Sequence, residues 1–236
     1  MHTRIGIVGD VHAEHRHLET ALQFFAAEGV DTIVCTGDLA DGEGDIEACI
    51  ELLKAHQVRT VRGNHDRWVL EDKARHIPNA HHRRDLSDTV IEYLSALPQQ
   101  INVDTGHGSL MLCHGVGHND LQKVWPGTAR MPAERSKRLD EIIAEGEYAL
   151  MVNGHVHYRT LIHFHTLTLL NAGTLRGDHH PGFSLLDLTE NTVQGFELEP
   201  EVHAVKTQSL QPCPNGHVFR DTQHFDDRWE PVTLYA

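Results

Sequence analysis

The sequence predicts an α/β protein built on a parallel or mixed β-sheet. Apolar, β-branched runs alternate with helical patterns near the start of the chain, in the order strand, helix, strand, helix, strand. Strands that alternate with helices in this way form parallel neighbours, because each helix returns the chain to the same edge of the sheet. Later apolar runs separated by short polar turns predict hairpins.

The elements of the first half follow from apolar spacing and from residues that begin or end helices. RIGIV predicts the first strand, and HLETALQFFAAEG predicts a helix that Gly29 ends. DTIVCTGD predicts the second strand, DIEACIELLKAH the second helix and VRTVRGN the third strand. DRWVLEDKARH favours a helix that Pro78 interrupts, and LSDTVIEYLSALP favours a helix that begins after Ser87.

The second half is predicted to contain more strand. GSLMLCHG and YALMVNGHVH predict strands, and PAERSKRLDEIIAEG predicts a helix with Pro132 near its start. TLIHFHTLTLLNAGTL and FSLLDLTENTVQGFELE predict hairpins, followed by a polar tail with short strand-like pieces. Because no linker separates the tail, we expect a single domain over residues 1–236, with residues 199–236 as an extension of unassigned role.

Charge and composition exclude several kinds of function. The 34 acidic and 20 basic residues give a formal charge of −14, which disfavours binding to duplex nucleic acid or to a membrane surface. The apolar run at the N-terminus is too short for a signal peptide, so we expect a cytoplasmic protein. Four scattered cysteines indicate neither a disulfide framework nor a cysteine zinc site. The 21 histidines mean that position must decide which of them bind metal.

Side chains that can bind metal ions follow the predicted strands. They are Asp10, His12, Asp38, Asn64, His65, His114, His155 and His157. The carboxyl ends of parallel strands converge on one crevice, so we expect these side chains to meet there. Carboxylates, imidazoles and an amide oxygen suit a pair of divalent ions such as Mn, Fe, Zn, Co or Ni. A simpler reading exists for each residue alone, such as a helix cap for Asp10 or a core histidine for His155.

The motifs that carry these residues are GDVH, GDLAD, GNHD, CHG and GHVH. Their order and spacing resemble those of the calcineurin-like metallophosphoesterases, in particular the small single-domain bacterial and archaeal phosphoesterases. NAGT at residues 171–174 resembles a further family segment, and the resemblance covers about residues 4–198. It implies a four-layer α/β/β/α sandwich with two mixed β-sheets flanked by helices.

The resemblance also implies two divalent metal ions per chain and a role for each motif residue. The ligands of the first ion would be Asp10, His12, Asp38 and His157, and those of the second Asp38, Asn64, His114 and His155. Asp38 would bridge the two ions, and a hydroxide bound to them would attack the phosphoester. His65 would stabilise the transition state or protonate the leaving oxygen, and Asp41 would orient His65. Arg67 could bind phosphate, although a loop salt bridge explains it equally well.

The predicted function is hydrolysis of a small phosphomonoester or phosphodiester, with a nucleotide as one candidate substrate. The enzymatic alternatives are a dinucleoside polyphosphate hydrolase and a protein phosphatase, but DLADGEGD lacks the arginine that protein serine/threonine phosphatases carry after this motif. The non-enzymatic alternative is a metal-binding scaffold, since the small subunit of retromer resembles this fold. That subunit lacks the third-motif histidine that is present here as His65.

Specificity is expected in two excursions from the regular pattern, residues 67–102 and 116–140. The second is rich in lysine and arginine around Trp125, which could hold the phosphate and base of a nucleotide. An exposed helix face with a core tryptophan is the alternative. The pair His81 and His82 is predicted to lie at the surface.

Overall fold

The computed structural model describes residues 1–236, in which two β-sheets face each other between outer layers of helices. Apolar side chains fill all three spaces between the layers. One apolar cluster joins the first sheet to the N-terminal helices, a second lies between the sheets, and a third joins the second sheet to the last helix and the tail. This arrangement confirms the predicted four-layer α/β/β/α sandwich.

The helices have local sequence signals at their ends. Their bounds are α1 His15–Glu28, α2 Ile46–Ala55, α3 Asn64–Leu70, α4 Asp88–Ala96 and α5 Lys137–Glu145. Gly29 ends α1 in a left-handed conformation, and Ser87 accepts a hydrogen bond from a backbone N–H of α4, as predicted. The placement of Pro132 near the start of α5 is wrong, because Ser136 caps that helix and Pro132 lies outside it.

The first sheet holds the parallel strands that the sequence predicts. Its strands are β1 Arg4–Val8, β2 Thr32–Cys35, β3 Arg59–Thr60, β9 Gly182–Asp187, β10 Thr192–Glu197 and β11 His203–Ser209. They lie in the order β11-β10-β9-β1-β2-β3. β1, β2 and β3 are parallel, whereas β9, β10 and β11 are antiparallel additions, so the sheet is mixed.

The second sheet is also mixed. Its strands are β4 Gln100–Thr105, β5 Gly108–Cys113, β6 Tyr148–Asn153, β7 Arg159–Phe164, β8 Thr168–Ala172, β12 Val218–Phe219 and β13 Val232–Thr233. The order is β12-β7-β8-β6-β5-β4, and β13 pairs with β7. β4 was not predicted from the sequence; it forms an antiparallel hairpin with β5 at the edge of the sheet.

The tail contributes strands to both sheets. β11 pairs with β10 in the first sheet, while β12 and β13 both pair with the edge of β7 opposite β8 in the second. Phe219, Phe225 and Trp229 bury their side chains in the outer apolar cluster of the second sheet. The single domain over residues 1–236 stays a prediction. No helix combines the length and the apolar character that crossing a membrane requires.

Candidate metal centre

The metal-binding residue types meet at one edge of the molecule because each follows the end of a strand. β1 is followed by Asp10 and His12, and β2 by Asp38. The turns after β5 and β6 bring His114 and His155 from the second sheet to the same crevice. The site therefore lies where the two sheets meet, and each sheet supplies part of it.

Three groups of side chains have ligand atoms within 4.8 Å of one another. They are Asp10 with His12 and His157, His12 with Asp38 and His65, and Asp38 with His114 and His155. The first and third groups are subsets of the two predicted ligand sets. Asp38 belongs to two groups, so its position suits the predicted bridge.

The carboxylate of Asp10 is fully buried and held from both sides. Its Oδ1 accepts a hydrogen bond from the hydroxyl of Thr36 at 2.8 Å, and its Oδ2 accepts one from the backbone N–H of His155 at 2.8 Å. Nε2 of His157 lies 3.3 Å from Oδ2. These contacts fix the carboxylate so that Oδ2 faces the histidines.

Asp38 is equally buried and lies at the centre of the cluster. Its Oδ1 accepts a hydrogen bond from the backbone N–H of His65 at 2.8 Å. Its Oδ2 lies 3.3 Å from Nε2 of His114 and 4.0 Å from Nε2 of His12. The oxygen therefore faces ring nitrogens from both predicted ligand sets.

Backbone carbonyls set the tautomers of two histidines. Nδ1 of His12 lies 3.2 Å from the carbonyl oxygen of Ala40 and 3.0 Å from that of Asp41, and Nδ1 of His114 lies 2.8 Å from that of Thr36. A nitrogen that faces a carbonyl carries a proton, so Nε2 is the nitrogen of each ring that can bind a cation in the crevice. Metal-binding histidines in proteins are usually oriented by such a contact at their other nitrogen.

The pKa values of the histidines respond to burial and to the two carboxylates. Burial lowers the pKa of His12 to about 4, and burial with the nearby His114 lowers that of His155 to about 4. Burial also disfavours the charged form of His114, but Asp38 and Asp10 outweigh it and raise the pKa to about 10. The negative charges of Asp10 and Asp38 therefore favour a positive charge in the crevice that the histidine rings face.

These observations fit a site for divalent cations. Nε2 of His12 and Nε2 of His157 are 3.2 Å apart, a separation that needs a proton or a cation between or beside them. The donors are imidazole and carboxylate, without thiolate, which suits Mn, Fe, Co, Ni or catalytic Zn. Asn64 places its Oδ1 2.9 Å from Nε2 of His114, within the same cluster.

The backbone of the site is bent into conformations that L-residues seldom adopt. His12, Asp38, Asp41, His155 and His157 have φ between 47° and 69°. Such conformations cost free energy and persist where the surrounding structure imposes them, often at functional sites. Here they turn the chain sharply after each strand and aim the side chains into the crevice.

Gly63 is required by close approach rather than by its own φ of −88°. A Cβ at this position would overlap Oδ1 and the backbone nitrogen of Asp38. Asp66 secures the same turn from its other side, because its buried carboxylate accepts hydrogen bonds from the N–H groups of Leu39, Ala40 and Gly63. The sequence analysis missed this role of Asp66.

His65 and Asp41 form the predicted hydrogen-bonded pair. Nδ1 of His65 lies 2.8 Å from Oδ2 of Asp41, and Nε2 lies 4.0 Å from Oδ2 of Asp38. Burial opposes the charge of His65, but its hydrogen bond to Asp41 and the charge of Asp38 outweigh it and raise the pKa. Burial likewise opposes ionisation of Asp41, yet hydrogen bonds from His65 and Arg75 lower its pKa.

Two residues near this pair were not found from the sequence. Arg75 binds the carboxylate of Asp41 through both terminal nitrogens, at 2.7 and 2.9 Å. His81 was predicted at the surface, but it is half-buried and accepts a hydrogen bond from the backbone N–H of Asp41 at 2.9 Å. Both lie in a segment without regular structure, so no local pattern marked them.

Two residues that the sequence suggested for substrate binding, Arg67 and Trp125, have other partners in the structure. Arg67 forms a bidentate salt bridge with Asp120, at 2.7 and 2.8 Å, and its contact with phosphate stays a prediction. Trp125 is 4% exposed and packs edge-on against Trp229. Base stacking on Trp125 is therefore wrong, and the alternative of a core tryptophan is correct.

A family model described as the calcineurin-like phosphoesterase superfamily domain matches residues 3–191. The chain belongs to this superfamily. Membership agrees with the resemblance of the five motifs, supports hydrolase activity in general and implies dependence on metal ions. No curated protein sequence matches the chain.

Solved structures of the superfamily share the fold. A metallophosphoesterase from Sphaerobacter thermophilus is 20% identical, with a TM-score of 0.60 over 88% of this chain and 90% of that one. An archaeal phosphodiesterase is 18% identical, with a TM-score of 0.55 over 83% and 99%. Vps29 from Entamoeba histolytica in complex with Zn²⁺ is 16% identical, with a TM-score of 0.51 over 88% and 99%.

Proposed function

We propose that the protein is a dinuclear metal-dependent phosphoesterase that hydrolyses a small phosphomonoester or phosphodiester. The observation that carries the proposal is the convergence of three metal-competent groups on one crevice, beside the hydrogen-bonded pair of His65 and Asp41. A structural metal site would need the ligands alone. The pair adds a group that can deliver a proton, which is what cleavage of a phosphoester requires.

The predicted ligands form two sets, one for each ion, and the groups of neighbouring ligand atoms support this division. Asp10, His12 and His157 would hold the first ion, and Asn64, His114 and His155 the second, with Asp38 shared. When bound, the ions would activate water and neutralise charge on the phosphoryl group. The identities of the ions belong to this proposal, with Mn, Fe, Zn, Co and Ni as candidates.

His65 would act on the leaving group. The bond between phosphorus and the leaving oxygen breaks as water attacks, and the electron pair of that bond goes to the leaving oxygen. His65 holds a proton that Nε2 can donate to this oxygen, while Nδ1 stays hydrogen-bonded to Asp41. The hydrogen bond to Asp41 and the charge of Asp38 outweigh burial and raise the pKa of His65, which favours the protonated form that a general acid needs.

The space beside the site suits a small polar substrate. A cavity of about 220 Å³ opens next to His12 and Asp41, and most of the side chains that line it are charged or polar. Glu14, Asn79 and Arg176 are among the residues that line it. Such a cavity favours a hydrophilic group on the phosphoester, which includes a sugar or another part of a nucleotide.

The test is hydrolysis by metal-free and metal-reloaded protein. We would remove bound metal with a chelator, reload with Mn²⁺, and compare p-nitrophenyl phosphate with bis-p-nitrophenyl phosphate. Wild type should hydrolyse at least one ester only when reloaded, and the preferred ester separates monoesterase from diesterase. Asp38→Asn should lose metal as well as activity, whereas His65→Ala should keep metal and lose about 10²-fold or more in kcat.

Controls separate this function from its alternatives. His165→Ala removes an exposed histidine far from the crevice and should leave the rate unchanged. Metal binding without hydrolysis of either ester, of dinucleoside polyphosphates or of a phosphoprotein would favour the scaffold, the reading suggested by the likeness to Vps29. Absence of metal binding would contradict the proposal outright.

A further inference from the structure

The carboxylate of Asp41 accepts four hydrogen bonds, and only one of them comes from His65. Oδ2 accepts from Nδ1 of His65 at 2.8 Å and from Arg75 at 2.9 Å. Oδ1 accepts from the other terminal nitrogen of Arg75 at 2.7 Å and from the backbone N–H of His81 at 2.9 Å. A carboxylate with both oxygens bound twice cannot rotate without breaking several bonds.

Arg75 supplies two of the four hydrogen bonds, because its guanidinium binds both oxygens of the Asp41 carboxylate. Paired bonds of this kind are strong and fix the plane of the carboxylate as well as its distance. Arg75 and Asp41 are 34 positions apart in the sequence; Asp41 lies in the turn after β2, and Arg75 lies in the segment after α3. The direction in which Asp41 presents Oδ2 to His65 is therefore set by a residue outside the motifs.

Arg75 is itself held in place. Its Nε donates to the carbonyl oxygen of Lys73 at 2.6 Å, and a terminal nitrogen donates to the carbonyl oxygen of His81 at 2.5 Å. The side chain is only 9% exposed. An arginine with four of its five N–H donors hydrogen-bonded and its side chain buried has little freedom, so it can hold Asp41 in a fixed orientation.

No hydrogen bond or salt bridge joins Arg75 to a predicted metal ligand, since its polar contacts are with Lys73, Asp41 and His81. The direct contacts of Arg75 therefore lead to His65 through the carboxylate of Asp41. This separates its role from that of an arginine that binds phosphate.

We propose that Arg75 is a positioning residue for His65, acting through Asp41, and that it matters most for substrates with poor leaving groups. The proposal rests on the proposed function, because it requires His65 to donate its Nε2 proton to the leaving oxygen. A poor leaving group needs that proton while the bond to phosphorus breaks. A good leaving group such as p-nitrophenolate can depart without it.

The kinetic test compares phenyl phosphate with p-nitrophenyl phosphate in wild type and Arg75→Ala. General acid catalysis contributes about 10²- to 10⁴-fold, and a misoriented imidazole should lose a part of it. We expect kcat for the phenyl ester to fall about 10- to 100-fold and kcat for the p-nitrophenyl ester less than about 3-fold. KM should stay nearly constant for both, because the polar contacts of Arg75 are with Lys73, Asp41 and His81.

Three comparisons guard against a purely structural effect. Arg75→Lys keeps the charge but offers no paired bonds, so its kcat should lie between those of wild type and Arg75→Ala. Added guanidinium should restore the phenyl ester reaction of Arg75→Ala. Arg4→Ala removes a partly exposed arginine paired with Glu28, at the end of β1 opposite to Asp10, and should leave both reactions unchanged.

A second readout does not depend on activity. In zinc-loaded protein labelled with ¹⁵N-histidine, the Nδ1–H of His65 should give a downfield proton resonance that is missing in His65→Gln. In Arg75→Ala this resonance should move upfield and exchange faster with water, and guanidinium should reverse both changes.

Two results would overturn the proposal. One is an equal fall of kcat for both esters in Arg75→Ala, which would show that the arginine only maintains the fold. The other is a His65 resonance that does not change in Arg75→Ala. If wild type hydrolyses only bis-p-nitrophenyl phosphate, the same comparison is made with diphenyl phosphate and bis-p-nitrophenyl phosphate. If wild type hydrolyses neither monoesters nor diesters, the proposed function fails, and the resonance alone still decides whether Arg75 positions His65.

Discussion

Replacing Thr36 with valine should weaken metal binding while leaving the fold intact. The hydroxyl of Thr36 donates to Oδ1 of Asp10 at 2.8 Å, and both residues are fully buried. The carbonyl oxygen of Thr36, which lies 2.8 Å from Nδ1 of His114, is unaffected by the substitution. The change therefore removes one contact to one predicted ligand.

The magnitude follows from the kind of hydrogen bond that is lost. A bond to a charged group contributes about 1.5–3 kcal/mol, equivalent to roughly 10- to 150-fold in a binding constant. Metal-free protein can recover part of this loss, because Asp10 can then rotate or take up a proton. We therefore expect metal affinity to fall about 10- to 100-fold, the range typical of residues that support metal ligands.

The assay is a titration of metal-free protein with Zn²⁺ or Mn²⁺ in competition with a chelator of known affinity. Thr36→Ser keeps the hydroxyl and loses a methyl group, so it should bind metal within a few-fold of wild type. If Thr36→Val binds metal as tightly as Thr36→Ser, Asp10 does not need this contact, and the inferred arrangement of the first ion is wrong.

Three further predictions concern the site, the core and the pH dependence of stability. Gly63→Ala should reduce metal affinity about 10-fold or more in the same titration, because the added Cβ displaces Asp38. Phe183→Ala should lower stability to urea by about 3–5 kcal/mol, since the ring is fully buried among three other phenylalanines. Burial lowers the pKa of His163, so below about pH 6.5 the unfolded state binds more protons and stability falls. His163→Gln should lose less stability than wild type between pH 8 and pH 5.5 in urea denaturation.

Matched variants make these predictions decisive. Gly177→Ala has open space around the added Cβ and should bind metal normally, unlike Gly63→Ala. Leu121→Ala removes a side chain that is 47% exposed and should change stability by less than about 0.5 kcal/mol. Equal effects within either pair would contradict the packing argument. For His163→Gln, the contrary result is a pH dependence identical to that of wild type.

The strands and the site could be predicted from the sequence where an apolar run is followed directly by residues that can bind metal. β1 and β2 are short apolar runs followed at once by polar residues, so both the strand and the site could be predicted. The crevice followed from a general property of parallel strands. β4 was missed because it is an edge strand in which only Val103 and Thr105 are buried, and its pattern is correspondingly weak.

Contacts between distant segments could not be read from the sequence. Arg75 and His81 reach Asp41 across 34 and 40 positions, and nothing near them distinguishes them from surface residues. Pro132 suggested a helix start, but Ser136 offered the hydroxyl that caps the backbone of α5. The helix propensity of the residues predicts where a helix such as α5 lies. Which neighbouring residue caps that helix, and which distant residues contact each other, depends on tertiary packing that a single sequence does not show.

The positions of β11, β12 and β13 have a consequence for folding during protein synthesis. All the predicted metal ligands leave the ribosome before these strands, which complete one edge of the first sheet and cover the outer edge of β7 in the second. At usual rates of translation, the nascent chain would expose unpaired edges of both sheets for on the order of several seconds. During that interval, incoming metal ions and molecular chaperones would meet a partly assembled sandwich, and the ligands could capture an ion before the outer strands close around them.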